Sequence, residues 1–392
     1  MQAASRTPGE AADPSARPSA VELSPSGLRR RFADAFVPRP AIYWCDLLVS
    51  AGVGWSAFVL AGSARGLPGQ LLALVVATLG LYRAVLFIHE LAHLRPGAVP
   101  GFETVWNLLV GFPVMAPSLM YVGSHGDHHK RSIYGTTADP EYETFAHWSP
   151  LRIAASSLTM LVLPAALAFR WGVLGPLSRA IPPLRRLVVR SMSTLVINPR
   201  YPRQAPRGRN ARRWVLCEAG AALYFWAFVL AIGSGRISLA WAGRWYAVAC
   251  GILILNHLRT LAAHRYESLG ERMDVTGQLL DTVNLRGIPG LTALAAPVGL
   301  RYHGLHHLLP SVPYHNLGPI HRRLLAELPE GSPYRSTQET TLARALRDLW
   351  IRASRNTSAA ADAALVSGAC AGAAPEAARA NPIASDVGAA AR

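Results

Sequence analysis

Charge is scarce in this sequence: only 16% of its 392 residues are charged, and Lys130 is the single lysine. With 51% hydrophobic residues beside it, that scarcity excludes a string of ordinary soluble domains. Cysteine is nearly missing as well. Cys45, Cys217, Cys250 and Cys370 form no CxxC pair, and three of them lie in hydrophobic segments, so neither a disulfide framework nor a structural zinc site is expected. The first 36 residues are rich in Pro, Ala, Ser and Arg and have no apolar core, so they do not read as a secretory signal peptide. Nothing repeats at a solenoid period.

What the chain does have is a net charge of +16 spread between long apolar runs. A nucleic-acid binder is also basic, but it has no use for segments of bilayer-spanning length, so no nucleic-acid partner is expected. The pattern predicts an all-α, polytopic membrane protein with about four transmembrane helices in two hairpins, at residues 41–62 with 70–88 and 214–232 with 239–255. Residues 151–179 are apolar but interrupted by Pro164, Arg170 and Pro176. A full crossing there would put the arginine-rich stretch 185–213 outside and separate the histidines, so the segment is predicted to be re-entrant or interfacial. Residues 101–121, broken by Pro113 and Pro117, are predicted to form an interfacial helix. The expected division is a disordered tail at 1–36, a membrane domain at 37–350 and a disordered Ala-rich tail at 351–392.

The histidines carry the chemistry. HELAH places His89 and His93 one helical turn apart, and HGDHH and HGLHH place His125, His128 and His129, then His303, His306 and His307, at i, i+3 and i+4. With 13 histidines in 392 residues, one HxxHH is expected by chance on the order of 0.01 times. Converging imidazoles suit iron, copper or zinc. A ninth ligand is expected from NHLRTLAAHR, with His264 favoured because it lies beyond the apolar run. His257, Asn256, Asp127 and Asp139 are candidates to support the ligands, as are Glu90 and Asp281. No catalytic residue is expected beyond the metal centre, and His147, His315 and His321 are assigned no role.

These boxes, with the run HHLLPSVPYHNL at 306–317, resemble the membrane fatty acid desaturase superfamily over about residues 40–330. The resemblance implies a non-haem di-iron centre held by eight or nine histidines in a cytosolic helical cap, with dioxygen as co-substrate and a lipid acyl chain as substrate. It implies an integral membrane enzyme, expected in a bacterial inner membrane with active site and both termini cytoplasmic. No cytochrome b5 motif HPGG occurs, so electrons are expected from a separate ferredoxin, rubredoxin or cytochrome b5-type donor. The HHLLPSVPYHNL run favours desaturation. The alternative is a di-iron hydroxylase or ketolase acting on alkane, lipid or carotenoid.

Other classes fit less well. HELAH also reads as the HExxH of an intramembrane zinc protease, with Glu90 as base, but that leaves both HxxHH boxes unexplained. A carboxylate-bridged di-iron bundle needs two ExxH motifs, and only Glu90 to His93 supplies one. A transporter would line its spans with ionisable groups, whereas these carry little beyond Asp46, Arg83 and Glu218.

Overall fold

The computed structural model describes residues 24–339 and 341–371. The tails expected at 1–36 and 351–392 fall outside the described residues over 1–23 and 372–392. The adjoining parts are helical. Helix α1 (Pro25–Arg31) starts on Ser24, whose hydroxyl accepts the Gly27 N–H at 3.1 Å. It buries Leu28 and Phe32 against Leu324 and Leu328 of the cap.

Helices α2 (Pro40–Ser63) and α3 (Gly66–Val85) form the first apolar hairpin. They cross closely because Gly80 lies on Gly54: a Cβ on Gly80 would sit 2.9 Å from the Gly54 backbone. Arg83 pairs with Asp46, which also accepts the Tyr314 hydroxyl at 2.9 Å, so both span charges are neutralised. After a break at Leu86 the chain continues as α4 (Phe87–His93), the first histidine box.

The next segment departs from expectation. Instead of an interfacial helix, α5 (Phe102–Trp106) runs into a π turn and folds back between the long helices. Trp55 donates to the Leu109 carbonyl, Tyr224 to Leu108 and Trp245 to Pro113, each at 2.8 Å. Irregular backbone at this depth needs protein partners, and three indole or phenol donors from three long helices provide them. The second box follows as α6 (Ser124–His128).

Helix α7 (Pro150–Phe169) continues through a π turn at 170–174 into α8 (Gly175–Ala180). This 31-residue rod is long and apolar enough to cross a membrane. Pro164 does not break it. Even so, it starts and finishes against the same cap. Before it, Ala146 N–H donates to Tyr266; after it comes α9 (Pro182–Ser191), and then Leu195 N–H donates to Met120 and Ile197 N–H to Pro140. Arg170 at the π turn donates to the Met192 carbonyl at 2.8 Å, tying the rod to the returning chain. In place of the interrupted re-entrant or interfacial segment expected, residues 150–180 form one continuous helical rod of spanning length whose flanking residues bond the cap.

Helices α10 (Arg209–Gly233) and α11 (Ala240–Leu261) make the second hairpin. Glu218 of α10 is ringed by Arg170, Arg179 and Arg185 at 2.6–3.0 Å, so part of the basic stretch is structural. Among the described residues, the four helices long and apolar enough to span are Pro40–Ser63, Gly66–His93, Pro150–Ala180 and Arg209–Gly233. Helix α11, expected as the fourth, is not among them because Arg244, Asn256, His257 and Arg259 dilute it. Leu72, Leu216, Leu223 and Leu230 are exposed on the outer faces, as a lipid-facing surface requires. The protein is therefore an all-α, polytopic membrane protein.

The cap is closed by α12 (Val275–Asp281), α13 (Pro289–Ala295), α14 (His303–Leu308), α15 (Tyr314–Glu327), α16 (Pro333–Ser336) and α17 (Leu342–Ala371). A two-residue parallel ladder joins β1 (Asn284–Leu285) to β2 (Gln338–Glu339). Helix α17 extends into the expected C-terminal tail as far as Ala371, and Leu349 and Ala353 at helical spacing join the cluster of Phe145 and Tyr266.

Candidate metal centre

Four short pieces of chain bring nine histidines together. Helix α4 supplies His89 and His93, α6 with its following residue supplies His125, His128 and His129, and α14 supplies His303, His306 and His307. His264 comes from an extended stretch after α11, where Ala263 accepts the Val283 N–H and Arg265 N–H donates to Asp281. Gly304 is required in the third box, since a Cβ there would lie 2.8 Å from the Asn284 amide.

The nine rings divide into two groups. His89, His93, His125, His129 and His306 form one; His128, His264, His303 and His307 form the other, and within each the donor nitrogens lie within 4.8 Å of one another. Several face each other with nothing between: the Nε2 atoms of His125 and His129, His129 and His306, His264 and His303, and His303 and His307 are 2.9–3.1 Å apart. Both nitrogens of His89, Nε2 of His93 and Nδ1 of His303 are buried with no hydrogen-bond partner. Lone pairs aimed at one another and orphaned buried nitrogens are what a cation would satisfy, so the residues fit a pair of metal ions.

Carboxylates hold the outer nitrogens. Asp139 accepts from His128 Nδ1 at 2.8 Å and is itself fixed by the Gly135 and Glu141 N–H groups. Glu141 lies 2.6 Å from His125 Nδ1 and accepts the Tyr121 hydroxyl. Asp281 accepts the Tyr134 and Tyr142 hydroxyls and lies 3.5 Å from His264 Nδ1. A ring that donates from Nδ1 presents its Nε2 lone pair inward, so these contacts fix the tautomer that can bind metal.

The electrostatics follow from burial. It drives the pKa values of His125, His129, His303, His306 and His307 well below the ordinary range, and neighbouring imidazoles add to the effect. These rings are neutral and ready to coordinate. His128 differs: burial pulls its pKa down, but the Asp139 charge and hydrogen bond outweigh it, and the net shift is upward. Burial lifts the Glu141 carboxyl to about 7 against the opposing pull of His128.

Some expected partners face elsewhere. Asp127 bonds Lys130 and Tyr201 at 2.5 Å, because its side chain leaves the outer face of α6. Asn256 accepts from Arg259, and His257 lies 3.4 Å from Ser156; both sit on α11 away from the imidazole groups. Glu90 accepts from Tyr43 and from the Tyr314 N–H. His147, His315 and His321 bond Glu267, Asn316 and Tyr334 outside the centre. Glu141, Tyr121, Tyr134 and Tyr142 were not singled out from sequence; the one signal was the alternating acids of DPEYE, ten residues past the second box.

A cavity of about 660 Å³ runs from the first group into the apolar helices. His89 and Tyr121 line its inner end, Ile252 and Leu163 its walls, and exposed Val162 of α7 its outer margin. A separate cleft of about 190 Å³ reaches His129 and His307 beside Arg29 and Arg131.

A family model described as fatty acid desaturase matches residues 65–338. A protein named ceramide hydroxylase from Caulobacter vibrioides (strain NA1000 / CB15N) is 41% identical over 319 residues, 81% of this chain and 91% of that protein.

Proposed function

Because the chain belongs to the fatty acid desaturase family, we propose that it is a di-iron membrane hydroxylase whose substrate is a ceramide-type lipid. The observation that carries this reading is the 41% identity to a ceramide hydroxylase across nearly its whole length. Hydroxylation thereby replaces the desaturation expected from the HHLLPSVPYHNL run. That run has a packing role: Tyr314 N–H donates to Glu90, its hydroxyl donates to Asp46, and Leu308, Leu309 and Leu317 are buried. It clamps the third box onto the first, a task common to any reaction performed on this frame.

In this reading His89, His93, His125, His129 and His306 hold one iron and His128, His264, His303 and His307 the other. Bound there, the two ions supply the dioxygen activation that oxidation of an unactivated C–H bond requires. The balance is R–H plus dioxygen, two electrons and two protons, giving R–OH and water. The electrons come from a separate ferredoxin, rubredoxin or cytochrome b5-type donor.

The chain's own residues do the rest. Asp139 and Glu141 keep the His128 and His125 rings oriented, and Tyr134 steadies Asp281 beside His264. The apolar walls of the large cavity take up a hydrocarbon chain, exclude water and limit which carbon meets the centre. Entry along α7 lets the lipid pass sideways from the bilayer. The cap and both chain ends face the cytoplasm in this scheme, in keeping with the arginines around it.

Expression in a host supplied with ceramide, with lipids analysed by mass spectrometry, tests the proposal. A ceramide carrying one additional oxygen, absent with His303→Ala, is the expected result. Loss of two hydrogens without added oxygen would restore desaturation, and an unchanged ceramide pool would refute the substrate class.

A further inference from the structure

The large cavity is lined mainly by apolar side chains, yet the guanidinium of Arg259 stands in its wall. Arg259 of α11 lines the cavity with His89 and Tyr121 and is only 9% exposed. Its Nη2 donates to Asn256 Oδ1 at 3.0 Å and Thr260 Oγ1 at 2.9 Å, both neighbours on its own chain segment. Its Nε is buried and has no hydrogen-bond partner. Among the described residues no carboxylate forms an ion pair with it. A buried guanidinium with an unused N–H is costly, and its cost falls sharply when an acceptor oxygen arrives. Arg259 shares the cavity lining with His89 and Tyr121, the residues at the histidine end.

We propose that Arg259 is the residue that recognises substrate polarity: its guanidinium donates to the acyl carbonyl oxygen of the lipid while the hydrocarbon lies along the apolar walls. Asn256 and Thr260 hold the Nη2 edge of the guanidinium and so fix how the group sits in the cavity wall. Ser156 and His257, 3.4 Å apart, also line the cavity and add polar edges to it. The shared chemistry is a carbonyl oxygen, which an N-acyl amide or a free carboxylate can both offer. This inference rests on the hydroxylase reading for its substrate and goes beyond it in naming what reads the head of that substrate.

Equilibrium binding by native mass spectrometry, without reductant so that nothing turns over, separates the possibilities. The probes are N-stearoyl sphinganine, stearic acid and octadecane; the proteins are the iron-loaded full chain and its Arg259→Met and Arg259→Lys variants. Arg259→Met should bind the ceramide on the order of tenfold more weakly or worse, as expected for loss of a charge-assisted hydrogen bond, while octadecane binding and iron content are unchanged. Arg259→Lys should recover part of the loss. Unchanged ceramide binding by Arg259→Met would overturn the inference. So would an equal loss of octadecane in both variants, since Arg259 would then only support the cavity wall. If stearic acid, and not ceramide, responds to the substitution, Arg259 keeps its role and the ceramide reading of the function fails.

Discussion

The two halves of the histidine centre are built differently. In the group of His128, His264, His303 and His307, two rings sit against buried carboxylates, Asp139 and Asp281, and the latter is gripped by Tyr134 and Tyr142. In the group of His89, His93, His125, His129 and His306, His125 has such support from Glu141, whereas buried Glu90 stays 4.0 Å from His89 Nδ1 and both nitrogens of His89 lack hydrogen-bond partners. His89 is also the ring that lines the lipid cavity. One half is anchored in a polar shell, and the other relies on helix geometry and opens toward substrate. The difference suggests a division of labour, with the anchored half fixing the frame against which the open half works.

Ligand loss should have the largest effect and ignore the asymmetry. His93→Ala and His303→Ala, one from each group, should each reduce hydroxylated product by more than about 100-fold, more than loss of a supporting partner would. Product assayed beside iron per chain checks this. Removing the supports should then expose the asymmetry. Asp139→Asn and Asp281→Asn should each weaken metal binding or activity by roughly 10–100-fold. Both should release one iron ahead of the other in a chelator titration. Simultaneous release of both ions would remove the distinction between the halves.

His321 sharpens the comparison from outside the centre. It is buried and bonded to Tyr334 at 2.7 Å, but no second imidazole converges on it. Burial holds its pKa down to about 4. The unfolded chain takes up that proton as pH falls through about 6.5, whereas the folded protein does not until near 4, so stability present above about 6.5 is lost across that window. His321→Gln should flatten the pH dependence of unfolding of the metal-free protein by at most about 1.4 kcal/mol per pH unit there. An unaltered slope would show that His321 is protonated in the folded state. The smallest effect belongs to Asp127→Asn: its partners are Lys130 and Tyr201, so activity should stay within about twofold. A tenfold loss would return Asp127 to the support of the centre.

The eight box histidines were legible because i, i+3 and i+4 spacing fixes which rings share a helical face, and a short helix needs no tertiary information to present them. His264 was legible from its place just past an apolar run. Glu141 was not, because it reaches His125 from a loop whose path depends on how Asp139 is caught by backbone N–H groups. Hydropathy read α2, α3 and α10 correctly. Across 150–180 the interruptions at Pro164, Arg170 and Pro176 do not end the helix, because a π turn at 170–174 carries it on. Hydropathy misjudged 101–121 for a different reason, the carbonyl partners being indoles and a phenol on helices distant in sequence. Residues 351–371 looked Ala-rich and featureless, although Leu349 and Ala353 carry a helical stripe. The HHLLPSVPYHNL run identified the family well and says little of the reaction, because its leucines and Tyr314 pack the frame and its histidines belong to the centre.

The central claim, oxygen insertion into a ceramide-type lipid, is tested most directly by supplying purified, iron-loaded protein with ceramide, reductant, an electron donor and dioxygen carrying the heavy oxygen isotope. The account predicts a product holding one labelled oxygen on a carbon chain that keeps its saturation. An unlabelled product two hydrogens lighter would contradict it.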